Sequence, residues 1–169
     1  MTANELEKIV ISFMDSFTTM TLACSEDDEP WSVPVYYARK ELDLIFFSSG
    51  KSRHSQIFKK NPKAAASIHG EFNKWQDIKG LQMDGKVEAL TTFSAIVRAG
   101  NIYFKRYPFA QDFFSKAGIL SENFAKKTSV ALYLFRPSNL HYLDNSYGFG
   151  TRWKLEIQDG RPFGSPVKS

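Results

Sequence analysis

Residues 32–62 read SVPVYYARKELDLIFFSSGKSRHSQIFKKNP, and three local patterns follow one another in them. The first part alternates apolar and polar side chains with a period of two, which predicts a strand. The run LIFFSS at 44–49 starts as a continuous apolar segment, which is typical of a buried strand. Ser52 can cap a helix, and Asn61-Pro62 ends it because a residue before proline avoids the helical conformation. The stretch therefore predicts two strands followed by a short helix.

The start of this predicted helix concentrates groups that bind anions. A helix N-terminus presents unpaired N–H groups and the positive end of the helix dipole. Hydroxyl, ammonium, guanidinium and imidazole groups are added by Ser48, Ser49, Lys51, Ser52, Arg53 and His54. The pattern predicts a site for a phosphate-bearing ligand. A solvated basic surface without a ligand is the alternative interpretation.

Charge along the chain supports an anionic ligand. The net charge is +4, but residues 1–50 carry three basic and nine acidic side chains, whereas residues 51–80 carry seven basic and two acidic ones. Positive charge is therefore concentrated in and just after the predicted helix. Phosphate groups and nucleic acids both fit such a region.

Outward from this stretch, the chain is predicted to be mainly β, of the α+β class. Residues 4–14 have the period of an amphipathic helix, with Asn4 as N-cap and Glu7 in the capping-box position. Residues 93–117 are also predicted to be helical, divided by Pro108. Further strands are predicted at 17–24, 64–69, 78–91, 129–136, 139–145 and 152–157. Short strands joined by tight turns favour a closed or nearly closed antiparallel barrel, because closure removes sheet edges.

Length and composition limit the class of protein. The chain has 169 residues, 43% of them hydrophobic, which fits one globular domain over residues 1–158. Residues 159–169 are rich in Gly, Pro and Ser and are expected to form a loose tail. No apolar run approaches the roughly 20 residues of a membrane span. The single cysteine, Cys24, and the lack of a secretion signal predict a cytoplasmic protein.

The unit at 32–62 resembles the flavin-binding core of the pyridoxamine 5'-phosphate oxidase family, the FMN-binding split β-barrel proteins. In that family a strand backs the flavin ring, and a Ser-Arg-Lys triplet opens a helix that ends in Asn-Pro. The triplet here is Ser52-Arg53-His54, and GLQMDGKVEAL at 80–90 is similar to the family's long strand. Asn139 stands where the vitamin-forming oxidases have an arginine, so the resemblance is to an uncharacterised branch of the family.

The resemblance implies an antiparallel split β-barrel with a few peripheral helices, acting as a homodimer with FMN at the subunit interface. It implies a flavin-dependent oxidoreductase or reductase that acts on a small organic molecule, driven by NAD(P)H or another reductant. The implied cofactor-binding residues are Ser32, Val33, Pro34, Val35, Tyr36, Phe47, Ser48, Ser49, Lys51, Ser52, Arg53, His54 and Gln82. Few catalytic side chains are then required, and none is assigned, since the flavin carries the chemistry.

Two other functions remain open from the sequence. A split barrel can serve as a non-enzymatic carrier or sensor that binds flavin, haem or nothing, and no residue pattern separates it from an enzyme. A nucleic-acid-binding small barrel would use the basic and aromatic segments FNKW at 72–75 and NIYFKRYPF at 101–109 for stacking. Helical spacing of the aromatic residues and the acidic first third of the chain make this alternative the weaker one.

A second segment of interest is LDNSYGFGTRW at 143–153. Two glycines flanking Phe149 allow a tight backbone path, which predicts a hairpin loop. The more specific hypothesis is that this loop closes over the flavin or substrate from the partner subunit, through Asn145, Gly148 and Phe149. No Cys/His spacing in the chain indicates a metal site.

Overall fold

The computed structural model describes residues 1–111 and 129–168. The α-helices with bounds inside those residues are α1 (Ala3–Ser16), α2 (Arg53–Lys60) and α3 (Phe93–Arg106). The strands are β1 (Thr19–Glu26), β2 (Glu29–Tyr36), β3 (Ala38–Lys40), β4 (Asp43–Ser49), β5 (Lys63–His69), β6 (Lys79–Ala89), β7 (Val130–Asp144), β8 (Arg152–Gln158) and β9 (Arg161–Lys168). Single 3₁₀ turns lie at Trp75–Asp77 and Asn145–Tyr147.

All nine strands of the described residues belong to one antiparallel sheet. Its order is β2-β1-β5-β6-β7-β4-β3, and β8 pairs with β7 and in turn with β9. The sheet curls so that β2 and β4 approach each other without pairing, and α2 lies beside β1 and β2. The prediction of a mainly β fold, an antiparallel split β-barrel with few peripheral helices, is confirmed. No helix in the described ranges is both long enough and apolar enough to cross a bilayer.

The inside of the curled sheet holds the larger hydrophobic core. In β1 the predicted alternation is present, because Met20, Leu22 and Cys24 all point into this core. Helix α1 adds its apolar face to the same core, through Leu6, Val10 and Met14. Each of these side chains contributes about 1.5 to 3 kcal/mol when fully buried.

A second, smaller core lies on the outer face of the sheet under α3. Leu44 and Phe46 of β4 point into the larger core, while Ile45 packs outward in the smaller one. Tyr103 of α3 and Tyr107, the residue that caps it, cover that outer face. Strand β4 is therefore buried on both faces, as its continuous apolar run predicts.

The first helix begins earlier than the sequence predicts. Thr2, not Asn4, is the N-cap: its Oγ1 accepts a hydrogen bond from the Glu5 N–H, and Glu5 Oε2 accepts one from the Thr2 N–H at 2.7 Å. Both Thr2-x-x-Glu5 and Asn4-x-x-Glu7 satisfy the capping-box pattern. The earlier box allows two more residues to join the helix.

The two strands predicted at 129–136 and 139–145 are one strand, β7. Pro137 lacks an N–H, which argues against an uninterrupted central strand. The structure places it at a β-bulge, where Gly85 pairs with Pro137 and Asp84 pairs with Asn139. The bulge leaves Ser138 without a ladder partner on β6 and accommodates the proline.

The tail expected to be loose instead ends the sheet as β9. Arg161–Lys168 pairs with β8, although it contains Pro162 and Pro166. Among the described strands β9 pairs only with β8, and a sheet edge tolerates proline because one side of the strand needs no donors. Tail composition alone did not reveal this pairing.

The second predicted helical region is only partly described. Helix α3 ends at Arg106, and Tyr107 caps it directly before Pro108, which agrees with a division at that proline. Residues 112–117 of the predicted region lie outside the described residues.

Candidate anion-binding site at the start of α2

Helix α2 begins and ends where the sequence predicts. The Ser52 hydroxyl accepts a hydrogen bond from the Ser55 N–H, and the Asn61 N–H donates to the Ile57 carbonyl at the other end. Ile57 and Phe58 are buried in the larger core. The helix is thus anchored in the interior, and its N-terminus is held at the end of β4.

Two serine hydroxyls and an imidazole converge at this N-terminus. Ser48 Oγ lies 2.6 Å from His54 Nε2, and Ser52 Oγ lies 3.1 Å from the same nitrogen. The two hydroxyl oxygens are 3.2 Å apart. Three of the predicted site residues therefore form one hydrogen-bonded cluster.

His54 occupies an unexpected position in this cluster. Its side chain is buried, with 7% of the residue exposed, and burial lowers the pKa of the imidazole. The ring is therefore mainly neutral at pH 7, and its Nε2 faces the two serines. His54 acts here as an orienting partner of the hydroxyls and not as the cation that lysine supplies in the family triplet.

Arg53 provides the cationic group in place of His54. Its side chain is exposed, and its Cζ lies 4.5 Å from the ring centroid of Trp31 on β2. Lys51 is also exposed, and the first turn of α2 contains no acidic residue. Sequence reasoning missed Trp31, for which the only signal was an aromatic residue next to the predicted Ser32.

Strand β2 separates its predicted site residues onto two faces. Val33 and Val35 pack against the larger core, whereas Ser32, Pro34 and Tyr36 are exposed on the opposite face. Pro34 is tolerated because β2 pairs only with β1 in the described sheet and so lies at its edge. A ligand on this strand would therefore meet Ser32, Pro34 and Tyr36, and only the backbone of the two valines.

Two predicted residues do not join the cluster. The Phe47 side chain points to the outer face, where its ring packs edge-on against Tyr103 with 4.8 Å between the ring centroids. Gln82 is exposed on β6, with β1 and β5 between it and β2. Gln82 forms none of the hydrogen bonds that join Ser48, Ser52 and His54 at the start of α2.

The loop at 143–153 is a hairpin connection that is held by hydrogen bonds from a buried side chain. Asn145 is buried, donating its side-chain N–H to the Trp75 carbonyl and accepting a hydrogen bond from the Gly150 N–H. The structure therefore assigns Asn145 to the interior of the loop, not to a surface that a partner could contact. Gly148 and Phe149 are exposed, and the Phe149 ring lies against Trp75.

Asp144 is the charged anchor of this loop. Burial alone would raise the pKa of its carboxyl group, but hydrogen bonds from the Ser146 hydroxyl and N–H, Lys79 and Tyr142 together outweigh that effect and lower it. Tyr142 also donates a hydrogen bond to Asp144, and Lys79 forms an ion pair with it at 3.2 Å. The carboxylate is therefore ionised and fully bonded at neutral pH.

The Asp144→Asn substitution is expected to lower the free energy of unfolding by about 1 to 3 kcal/mol at pH 7, because a buried charged acceptor loses its ion pair. The folded pKa lies below the unfolded value of about 3.9, so this contribution is present above that value and disappears as the pH falls through the folded pKa. Urea denaturation of wild type and variant at several pH values from neutral to about 3 measures the difference, which should shrink on acidification. Glu156→Gln, at an exposed position on β8, is the control. A pH-independent difference for Asp144→Asn would contradict the assignment.

Metal binding receives no support from the part of the chain that the structure describes. Within residues 1–111 and 129–168, no three His, Cys, Asp or Glu side chains come together in a way that could hold a metal ion.

Comparison with protein families decides the affiliation of the chain. The sequence profile described as Pyridoxamine 5'-phosphate oxidase matches residues 6–130, which contain the whole of α2 and the strands around it. The chain belongs to the pyridoxamine 5'-phosphate oxidase family. The chain is also similar to the UPF0306 protein of Klebsiella pneumoniae, with 25% identity over 141 residues that cover 81% of this chain and 85% of the relative.

Solved structures agree with this family fold. An FAD-binding protein from Mesorhizobium loti matches with a TM-score of 0.62 and 17% identity, covering 83% of this chain and 92% of that one. A heme binding protein from Mycobacterium smegmatis matches with a TM-score of 0.70 and 14% identity, covering 89% of this chain and 57% of that one. At such identities the likeness shows that this member of the oxidase family shares their fold.

Proposed function

We propose that this chain binds FMN at the start of α2 and acts, as a homodimer, as a flavin-dependent oxidoreductase or reductase on a small organic molecule. The observation that carries the proposal is the cluster of Ser48, Ser52 and His54 beside the exposed Arg53. It lies at a helix N-terminus, where the first N–H groups have no partner within the helix.

The chemistry of this donor set fits a terminal phosphate. A phosphate dianion accepts several charge-assisted hydrogen bonds, and a guanidinium can satisfy two of its oxygens at once. Arg53 and Lys51 supply charge, and Ser48 and Ser52 supply hydroxyls that His54 orients. The absence of an acidic residue from the first turn of α2 removes an electrostatic obstacle.

The exposed face of β2 fits the other end of such a ligand. Ser32, Pro34 and Tyr36 leave polar and apolar surface open on β2, on the face opposite to the one from which Trp31 meets Arg53. Within a single subunit, no described strand pairs with the outer edge of β2. A second subunit would enclose a flavin there, which supports the dimer as the functional unit.

Known relatives support a cofactor on this fold without fixing its identity. The structural neighbours include an FAD-binding and a heme binding protein. We favour FMN because the donors are gathered at a single helix start, as a phosphate monoester requires. A bound flavin would supply the redox chemistry, and the residues of this chain would bind and orient it and exclude water.

The test is an absorbance spectrum of the purified protein before and after addition of FMN, with excess flavin removed by gel filtration. We expect flavin absorbance to elute with the protein at the size of a dimer. A protein that retains no FMN at any concentration tested would overturn the proposal. Oxidation of NADH or NADPH by the loaded protein then separates an enzyme from a carrier, since a carrier binds flavin without turnover.

A further inference from the structure

A cavity of about 440 Å³ lies between the first half of α3 and the outer face of the sheet. Its apolar wall is formed by Ile45 and Leu134 from the sheet and by Ala95, Ala99 and Ile102 from α3. Ile45 and Leu134 belong to the smaller core. The cavity is therefore separate from the α2 site, because α2 packs into the larger core on the other face of β4.

The sequence of α3 explains why this space is open. Toward the end of the helix, Tyr103 and the C-cap residue Tyr107 fill the gap above the sheet. In the first half the corresponding positions are Ala95 and Ala99, one helical turn apart on the same face. Short side chains there leave a space that protein interiors normally fill. A volume of this size is within the range of small-molecule sites.

Positive charge surrounds the opening of the cavity. Lys40, Arg98 and Arg136 line it, and none of the described lining residues carries a carboxylate. Arg136 already forms an ion pair with Glu88, with 2.8 Å between Nη2 and Oε1. Arg98 and Lys40 are exposed, and no described residue forms an ion pair or side-chain hydrogen bond with either of them. Arg98 is thus available to a ligand, and Lys40, which lies near Glu41 and Asp43, adds a second positive charge.

Asp43 is a nearby acidic residue on β4, but it does not line the cavity. Its carboxyl group lies against Gly160, where an added Cβ would meet the carboxyl carbon at 3.3 Å. It interacts electrostatically with Arg136 and Lys40, which leaves Arg98 as the lining cation for which no acidic neighbour is described. The combination of an apolar wall and cations at the opening complements a molecule that is apolar along its length and anionic at one end.

We propose that this cavity binds a small amphipathic carboxylate. The hydrocarbon body would lie between Ala95, Ala99 and Ile45, and the carboxylate would accept hydrogen bonds from Arg98, with Lys40 adding charge. A planar guanidinium matches a carboxylate in a two-pronged arrangement. This proposal is independent of flavin binding, because it uses no residue of the α2 site.

Calorimetric titration with octanoate, 1-octanol and octylamine tests the proposal on the full chain, with and without added FMN. We expect octanoate to bind in both conditions, octanol to bind about tenfold more weakly, and octylamine not to bind. Arg98→Gln should weaken octanoate binding about tenfold, while Arg152→Gln, an exposed arginine on β8, should leave it unchanged. NMR of isoleucine methyl groups should show shifts at Ile45 and Ile102.

Filling the cavity gives a second measurement. Ala99→Leu should abolish octanoate binding, and Ala95→Leu, at the less buried position, should do the same if the first variant does not fold. Thermal unfolding establishes that each variant is folded. Failure of the wild type to bind octanoate, equal binding of octylamine, or full binding by Arg98→Gln would each overturn the proposal. Loss of FMN binding would overturn only the proposed flavin function.

Discussion

Replacing Arg53 with alanine is expected to weaken FMN binding by about 1.5 to 3 kcal/mol, or roughly 10- to 150-fold in Kd. The exposed guanidinium is the group best placed to bind the phosphate, since His54 is buried and mainly neutral. Quenching of FMN fluorescence on titration with protein measures the affinity. Thermal unfolding without FMN should be little changed, because Arg53 is exposed.

Two further variants separate charge from position in this prediction. Lys59→Ala removes an exposed cation from the far end of α2 and should leave FMN affinity unchanged. Trp31→Leu removes the ring over which Arg53 lies and should weaken binding by about 0.5 to 1 kcal/mol, the value of an exposed cation–π contact. If Arg53→Ala bound FMN as tightly as wild type, Arg53 would have no place in the phosphate site.

Gly85→Ala is expected to destabilise the protein by about 3 kcal/mol, at the upper end of the usual range for overpacking. A Cβ at this position would lie 2.0 Å from the Arg136 carbonyl oxygen and 2.8 Å from the Pro137 Cα. These are backbone atoms of the paired strand, so relief requires the β6–β7 bulge to open. Urea denaturation gives the change in the free energy of unfolding.

Gly100→Ala is the matched control for this substitution. Gly100 is buried in α3, but an added Cβ would meet only the Phe104 ring at an ordinary 3.6 Å. Alanine is the better helix former by about 1 kcal/mol, so this variant should be at least as stable as wild type. A Gly85→Ala protein within about 0.5 kcal/mol of wild type would show that the bulge yields easily.

Local signals in the sequence were sufficient for much of the fold. Ser52 as N-cap and Asn61-Pro62 as helix end were correct because capping and the restriction before proline act within a few residues. The buried character of β4 followed from its composition. The start of α1 was misplaced by two residues because two overlapping capping boxes are equally good locally. Local information could not choose between them.

The rest depended on contacts between distant parts of the chain. The ring of Trp31 meets Arg53 only because β2 and α2 are brought together by the curl of the sheet. His54 resembles an exposed basic residue in sequence, and only the packing of α2 shows that it is buried. Strand β9 was missed because its prolines are tolerated only at a sheet edge, which the sequence does not reveal.

Ile57 and Phe58 anchor α2 in the larger core, so the N-terminus of the helix is coupled to the packing of the whole domain. The residues that would hold a phosphate begin the same eight-residue helix that packs against β1 and β2. Occupancy of the site would therefore stabilise the whole domain by mass action, by about 2.7 kcal/mol at a ligand concentration of 100 times Kd. The melting temperature of the intact protein thus becomes a direct gauge of which phosphorylated compounds this helix accepts.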